Sequence, residues 1–327
     1  LQVENRLTTE ASPVVVVNIV AASYSGSTWA NLLLGANPQA FSVGEIDNIR
    51  KHGKALCTLH GVSCPIWSQF NANSGENPYL QLHRITGKRF LVVNNARYLL
   101  RDQDHPQVHS KYIFLIRDGR AVVASTCRKY PSTSIWHASR SWWRTMKKKQ
   151  RLIRSRPGQD TLVVQYEAML KDLEPQTHRL CEFLGMQFEP QMLEYWKKKP
   201  HFLGGNIGTM NSIAKAQGID AIHYFKKKQH FGGRLPVAAP PIEPSCGATL
   251  PNNPPQEGPM ELKVGESKIH ISDHFKMDLD HYNSADLRHF VDERWKHELS
   301  DWQLRVFAIA AGRLNRKLGY SPSLDRS

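Results

Sequence analysis

The 327-residue chain has few cysteines, no long apolar run and, over one long stretch, no acid. Five cysteines in a chain this long do not make a disulfide scaffold, and the odd count leaves at least one thiol unpaired within the chain. Cys57 and Cys64 stand close together in CTLHGVSCPIW with His60 between them. No second Cys/His pair shows matching spacing, so two loop cysteines or one local disulfide is the reading, and no metal is expected. No apolar run approaches the roughly 20 residues that cross a bilayer, which excludes a membrane-spanning helix as an expectation. Asn-x-Ser/Thr sequons are also absent, a mild argument against glycosylation but not against secretion. The sequence contains no internal repeat.

The missing acid gives the first functional hint. Lys and Arg number 43 against 29 Asp and Glu, a net charge of +14 that points to a polyanionic partner. Between Asp118 and Asp160 there is no carboxylate, while Arg120, Arg128, Lys129, Arg140, Arg144, Lys147, Lys148, Lys149, Arg151, Arg154 and Arg156 accumulate. Residues 135–154 read as a helix from the spacing of Ile135, Ser139, Trp142 or Trp143, Met146 and Ile153. Its charges make either a solvated face or an anion-facing one. Uncompensated like charges repel at i,i+4, which gives the second reading its weight. The triplets Lys197–Lys199 and Lys226–Lys228 extend the bias.

The apolar run VVVVNIVAA (14–22) has the pattern of a strand buried on both faces, and AFSV (40–43), RFLVVN (89–94), KYIFLI (111–116) and TLVVQ (161–165) read as further strands. Helical patterns lie between most of them. The fold class expected is therefore α/β, a parallel sheet with crossover helices. THRLCEFL (177–184) reads as a helix stopped by Gly185. Eight prolines within 236–259 prohibit regular structure there. After it, Ser300 and Gln303 make a capping box for a helix whose stripe is Leu304, Phe307, Ala311, Leu314 and Leu318. One domain is expected, with a core of 14–206 and 290–320 and an irregular insertion over about 207–289.

Two segments suit anions. In AASYSGSTWANLLLG (21–35) a Ser/Gly turn joins the first strand to a helix, whose free N–H groups and positive dipole end attract phosphate-like groups. Gly26 allows the tight turn, and Ser25, Ser27 and Thr28 add hydroxyls; an ordinary βα turn with N-caps reads the same way. The Walker A lysine is missing, which disfavours an ATP-hydrolysing P-loop protein. In KYIFLIRDGRAVVAST (111–126), Arg117 ends a strand, where open α/β sheets bind ligands, and Ser125 follows in the next helix. Together they suit one phosphate.

With both segments in view, the chain resembles the sulfotransferases that use 3′-phosphoadenosine-5′-phosphosulfate (PAPS). SYSGSTW is similar to the family's 5′-phosphosulfate loop and LIRDGRAVVAS to its 3′-phosphate motif. QYEAMLKDLEPQTHRLCEFLGMQFEP (165–190), HFLGGN (201–206) and WKHELSDWQLRVFAIAAGRLNRKLGY (295–320) resemble later elements, nearer the bacterial and Golgi-like branches than the cytosolic small-phenol branch. The resemblance implies a sheet of P-loop nucleotide-kinase type and sulfuryl transfer from PAPS, without a metal, to an acceptor with a free hydroxyl, an anionic glycan among the options. It implies no specific nucleic-acid partner. The compartment it implies is the cytoplasm for a bacterial protein, or the Golgi lumen if an N-terminal anchor has been removed.

On the same resemblance, Ser25, Gly26, Ser27, Thr28, Trp29, Arg117, Ser125, Tyr166, Gly205 and Asn206 contact the donor, with Trp29 and Tyr166 equally suited to core packing. Glu45, in FSVGEIDNIRK, matches the family's general base, and His52 and His105 compete for that role. Relatives often carry Lys or Arg where this chain has Tyr24. Arg97 is the expected substitute cation and Arg120 a weaker one. The alternatives are a nucleotide kinase on the same sheet, which needs a loop Lys and Mg²⁺-binding acids, and a non-catalytic polyanion-binding module.

Overall fold

The structure is a computed structural model that describes residues 13–52, 55–61, 63–94, 104–219 and 293–321. Five parallel strands form one sheet: β1 (Val14–Ala21), β2 (Ala40–Gly44), β3 (Phe90–Asn94), β4 (Val108–Ile116) and β5 (Thr161–Gln165), in the order β2-β3-β1-β4-β5. The parallel α/β architecture expected from the sequence is the one found. All eight residues of β1 are buried, because helices cover both faces of the central strand and every position must be apolar or satisfied.

Alternation along the strands sorts the core into layers. Val15, Val17, Ile19 and Ala21 pack with α1 (Ser27–Gly35), α6 (Tyr166–Lys171), α7 (Leu173–Leu184) and α8 (Ile207–Ala216). On the other face, Val20 and Ala22 meet α4 (Gly119–Lys129), α5 (Ile135–Arg154) and the C-terminal helices α9 (Trp295–Glu298), α10 (Asp301–Phe307) and α11 (Arg313–Lys317). Val14 and Val16, also on that face, join Cys57, Cys64, Trp67 and α3 (Pro78–Thr86).

α5 spans the residues its periodicity predicts, with Ile135, Ala138, Ser139, Trp142 and Met146 buried. Its surroundings explain how so basic a stretch tolerates the missing acid. Arg140 lies over the Trp143 ring at 4.6 Å and Arg156 over Tyr112 at 5.1 Å, while Arg128 pairs with Glu298 from the chain's far end. The core also runs past residue 206, against the boundary expected: α8 buries Met210, Ile213 and Ala214 completely, because these side chains recur at helical spacing after the Asn206 cap. The Pro-rich 236–259 segment lies outside the described residues. The Ser300–Gln303 capping box forms, and α10 continues through a π-helical turn, Ala308–Gly312, into α11. No helix among the described residues is long and apolar enough to cross a membrane.

Candidate functional site

The strands' C-terminal ends bring the two anion segments together. Gly26 is the N-cap of α1 at φ 84°, and no side chain caps that helix, so its first N–H groups face the turn. A Cβ at Gly26 would lie 2.4 Å from the Tyr166 ring, so the turn has room for backbone only. Ser25 Oγ is buried, with the residue 1% exposed, and has no hydrogen-bond partner among the described residues. An orphaned hydroxyl in a turn of this kind is what an absent anion's oxygen would satisfy. Tyr24 takes the left-handed conformation at φ 63°, and its carbonyl accepts a 2.8 Å bond from Arg117 Nη1. Arg117, 5% exposed at the end of β4, also lies over the Tyr166 ring at 4.7 Å. The cation of the second motif thus holds the backbone of the first.

A polar network behind Arg117 fixes its motif. The Asp118 carboxylate caps α4 by accepting from the Arg120 N–H and forms a 2.6 Å ion pair with the Arg120 guanidinium. From α11, 197 residues away, Asn315 Nδ2 donates to Asp118 while its Oδ1 accepts from the Gly119 N–H. The Asp118 N–H donates to Glu167, whose other carboxylate oxygen accepts from the Tyr320 hydroxyl. Burial pushes the Glu167 carboxyl up from its ordinary 4.5, against these two donors that favour the charged form. Between pH 4.5 and that raised value the folded state holds more proton than the unfolded one, so Glu167's contribution to stability is complete below 4.5 and declines as pH rises. Glu167→Gln should flatten that decline in a series of urea-denaturation midpoints; parallel wild-type and variant profiles would place the linkage elsewhere.

The opposite wall comes from β2 and the HFLGGN loop. The Glu45 N–H donates to the Leu203 carbonyl, and the Glu45 carboxylate accepts from Asn48 Nδ2 at 3.2 Å. Gly204, at φ 71°, passes so close that a Cβ there would sit 2.6 Å from Glu45 Oε2. Two residues on, the Asn206 N–H donates to Thr28 Oγ1 at 2.9 Å, and a Cβ on Gly205 would touch Thr28. One short loop therefore ties Glu45 to the anion turn.

Residues 105–190, from the approach to β4 through α7, match the model of the sulfotransferase family. That segment, and not the chain as a whole, is what is similar to the family. No curated protein matches. Among solved structures, the sulfotransferase domain of the Synechococcus PCC 7002 olefin synthase is 19% identical over 70% of this chain and 98% of its own, with a TM-score of 0.47. The sulfotransferase domain from the curacin biosynthetic pathway is 17% identical over 60% and 81%, with a TM-score of 0.45. Mouse sulfotransferase SULT7A1 complexed with PAP is 15% identical over 94% and 89%, with a TM-score of 0.39. These are loose likenesses.

Of the residues expected at a donor and acceptor site, Ser25, Gly26, Ser27, Thr28, Arg117, Tyr166, Gly205, Asn206 and Glu45 lie at or beside the C-terminal ends of the strands. Ser125 lies buried within α4. Trp29 is a core residue set edge-on to Tyr166 at 5.8 Å. Arg97 lies outside the described residues, and His52 ends α2 (Asp47–His52). Two expectations are corrected. Arg120 is committed to Asp118 and lies over the Trp295 ring at 4.1 Å, so it cannot serve as the cation replacing the family's loop Lys. His105 precedes β4, bonded through its carbonyl to the Val108 N–H, at the N-terminal end of the strand, opposite the end that carries Arg117, which excludes it as the base. Sequence reading missed Glu167, Asn315 and Tyr320, because single polar residues beside an apolar stripe carry no local signature. It also missed His201, which joins Cys57, His60 and Cys64 in a cluster whose ligand atoms all lie within 4.8 Å, supplying the fourth member the local spacing lacks.

Proposed function

We propose that this chain transfers a sulfuryl group from PAPS to the hydroxyl of an acceptor by in-line displacement. The hold of Arg117 on the Tyr24 carbonyl carries the reading, since it sets a buried cation against a backbone turn whose Ser25 hydroxyl has no hydrogen-bond partner among the described residues. PAPS, when bound, supplies the sulfuryl group on a phosphate leaving group. The N–H groups of residues 25–28 and the positive end of α1 face the charge that grows on the bridging oxygen, and fixed donors of this kind stabilise a transition state more than a ground state. Arg117 and Ser125 hold the 3′-phosphate. Glu45 takes the acceptor hydroxyl's proton as its oxygen bonds to sulfur. The C-terminal segment keeps Arg117's motif in register through Asn315 and Tyr320.

The acceptor class that fits the basic surface of α5 is an anionic hydroxyl compound, of which a sulfated or carboxylated glycan is the leading member. Calorimetry with 3′,5′-adenosine diphosphate (PAP) tests the donor site: binding without magnesium supports it, whereas binding that needs Mg²⁺ turns the assignment toward a kinase. Arg117→Ala should weaken PAP by about 1.5–3 kcal/mol, the scale of a hydrogen bond to a charged group. An unchanged dissociation constant would put the 3′-phosphate elsewhere. An acceptor screen with labelled PAPS across tyrosine peptides, glycans and small alcohols then assigns the other substrate.

A further inference from the structure

We propose that Cys57, His60, Cys64 and His201 form a structural Zn²⁺ site that clamps the loop beside Glu45. The four ligand atoms, two thiol sulfurs and two ring nitrogens, all lie within 4.8 Å of one another. Cys57 Sγ stands 3.3 Å from His60 Nδ1, and Cys64 Sγ stands 3.2 Å from His201 Nδ1. A tetrahedral zinc with sulfur at about 2.3 Å and nitrogen at about 2.0–2.1 Å separates its ligands by about 3.3–3.8 Å, so small shifts suffice. Cys57 and Cys64 are buried, at 3% and 0% exposed, with the two half-buried imidazoles stacked on each other at 4.8 Å between ring centroids. A Cys57–Cys64 disulfide alone would leave that pair of rings over the sulfurs without a role. Two thiols with two imidazoles and no carboxylate select zinc over magnesium or calcium, and four protein ligands leave no open position for catalysis.

The backbone around the cluster is already braced. The Thr58 N–H donates to the Phe202 carbonyl at 2.7 Å, Thr58 Oγ1 to the Gly204 carbonyl at 2.8 Å, and Trp67 Nε1 to the His201 carbonyl. The site would therefore fasten residues 57–64 to 201–204 immediately before Gly204 reaches Glu45. Metal binding displaces the thiol protons, and its free energy adds to that of the folded state.

The deciding measurement uses the unmodified chain. Protein purified under reducing conditions should carry one zinc per chain. After chelation and titration with Co²⁺ it should show thiolate-to-cobalt charge transfer together with the d–d bands of a tetrahedral ion, and the stripped chain should melt at a lower temperature than the zinc-loaded one. His201→Asn should lose the stoichiometric metal and change the cobalt spectrum. Should that variant fail to fold, the unmodified chain's titration still decides. A reduced chain that takes up neither zinc nor cobalt overturns the proposal, as does a mass two hydrogens lighter that maps a Cys57–Cys64 bond in protein purified without oxidant. PAP binding, read separately, keeps this outcome distinct from the fate of the donor-site reading.

Discussion

Glu45→Gln is expected to lower turnover by about 10²–10⁴-fold, the usual contribution of a positioned general base, while the PAP dissociation constant stays as in the wild type. The substitution keeps the shape of the side chain. The amide oxygen still accepts from Asn48 Nδ2, and the backbone bond from the Glu45 N–H to Leu203 is untouched, so the loop stays where it is. What disappears, on the proposed role of Glu45, is the capacity to take a proton from the acceptor. The loss should therefore fall on kcat and on kcat/KM for the acceptor alike, without a matching fall in thermal midpoint. Full activity in Glu45→Gln removes this carboxylate from the chemistry.

Gly26→Ala should abolish measurable PAP binding while leaving a folded chain. Placing a non-glycine residue at φ 84° costs about 1–2 kcal/mol by itself. The larger consequence is steric, because the new methyl would sit 2.4 Å from Cε2 and 2.5 Å from Cδ2 of Tyr166. Tyr166 must retreat, and it carries Arg117 on its face. One methyl thus disturbs both anion motifs, whereas Arg117→Ala removes one cation. Calorimetry of the two variants should rank them in that order; Gly26→Ala binding PAP as the wild type does would show that the turn is not the donor's seat.

The sheet was largely legible because its strands must satisfy two buried faces at once. A run such as VVVVNIVA has few other stable uses, and TLVVQ coincides with β5 as found. α5 was readable for the complementary reason: its apolar stripe persists through a dense run of cations. The site was legible only in outline. Sequence proximity marks the turn at Ser25–Thr28 and the Arg117 segment, but it carries nothing about the bond from Arg117 to the Tyr24 carbonyl. His201 lies 137 residues from Cys64, and Asn315 lies 197 from Asp118. Pairings at such separations leave no spacing rule in one chain, since the intervening length is free to vary without moving either end.

The dependence of the Asp118–Arg120 corner on Asn315 and Tyr320 has a consequence for biosynthesis. A nascent polypeptide that has already exposed all five strands lacks the two side chains that brace this corner. Bracing of this corner then waits for the segment bearing Asn315 and Tyr320 to clear the ribosome, and a premature stop codon shortly before Asn315 would yield a product with a complete sheet and an unbraced Arg117 motif.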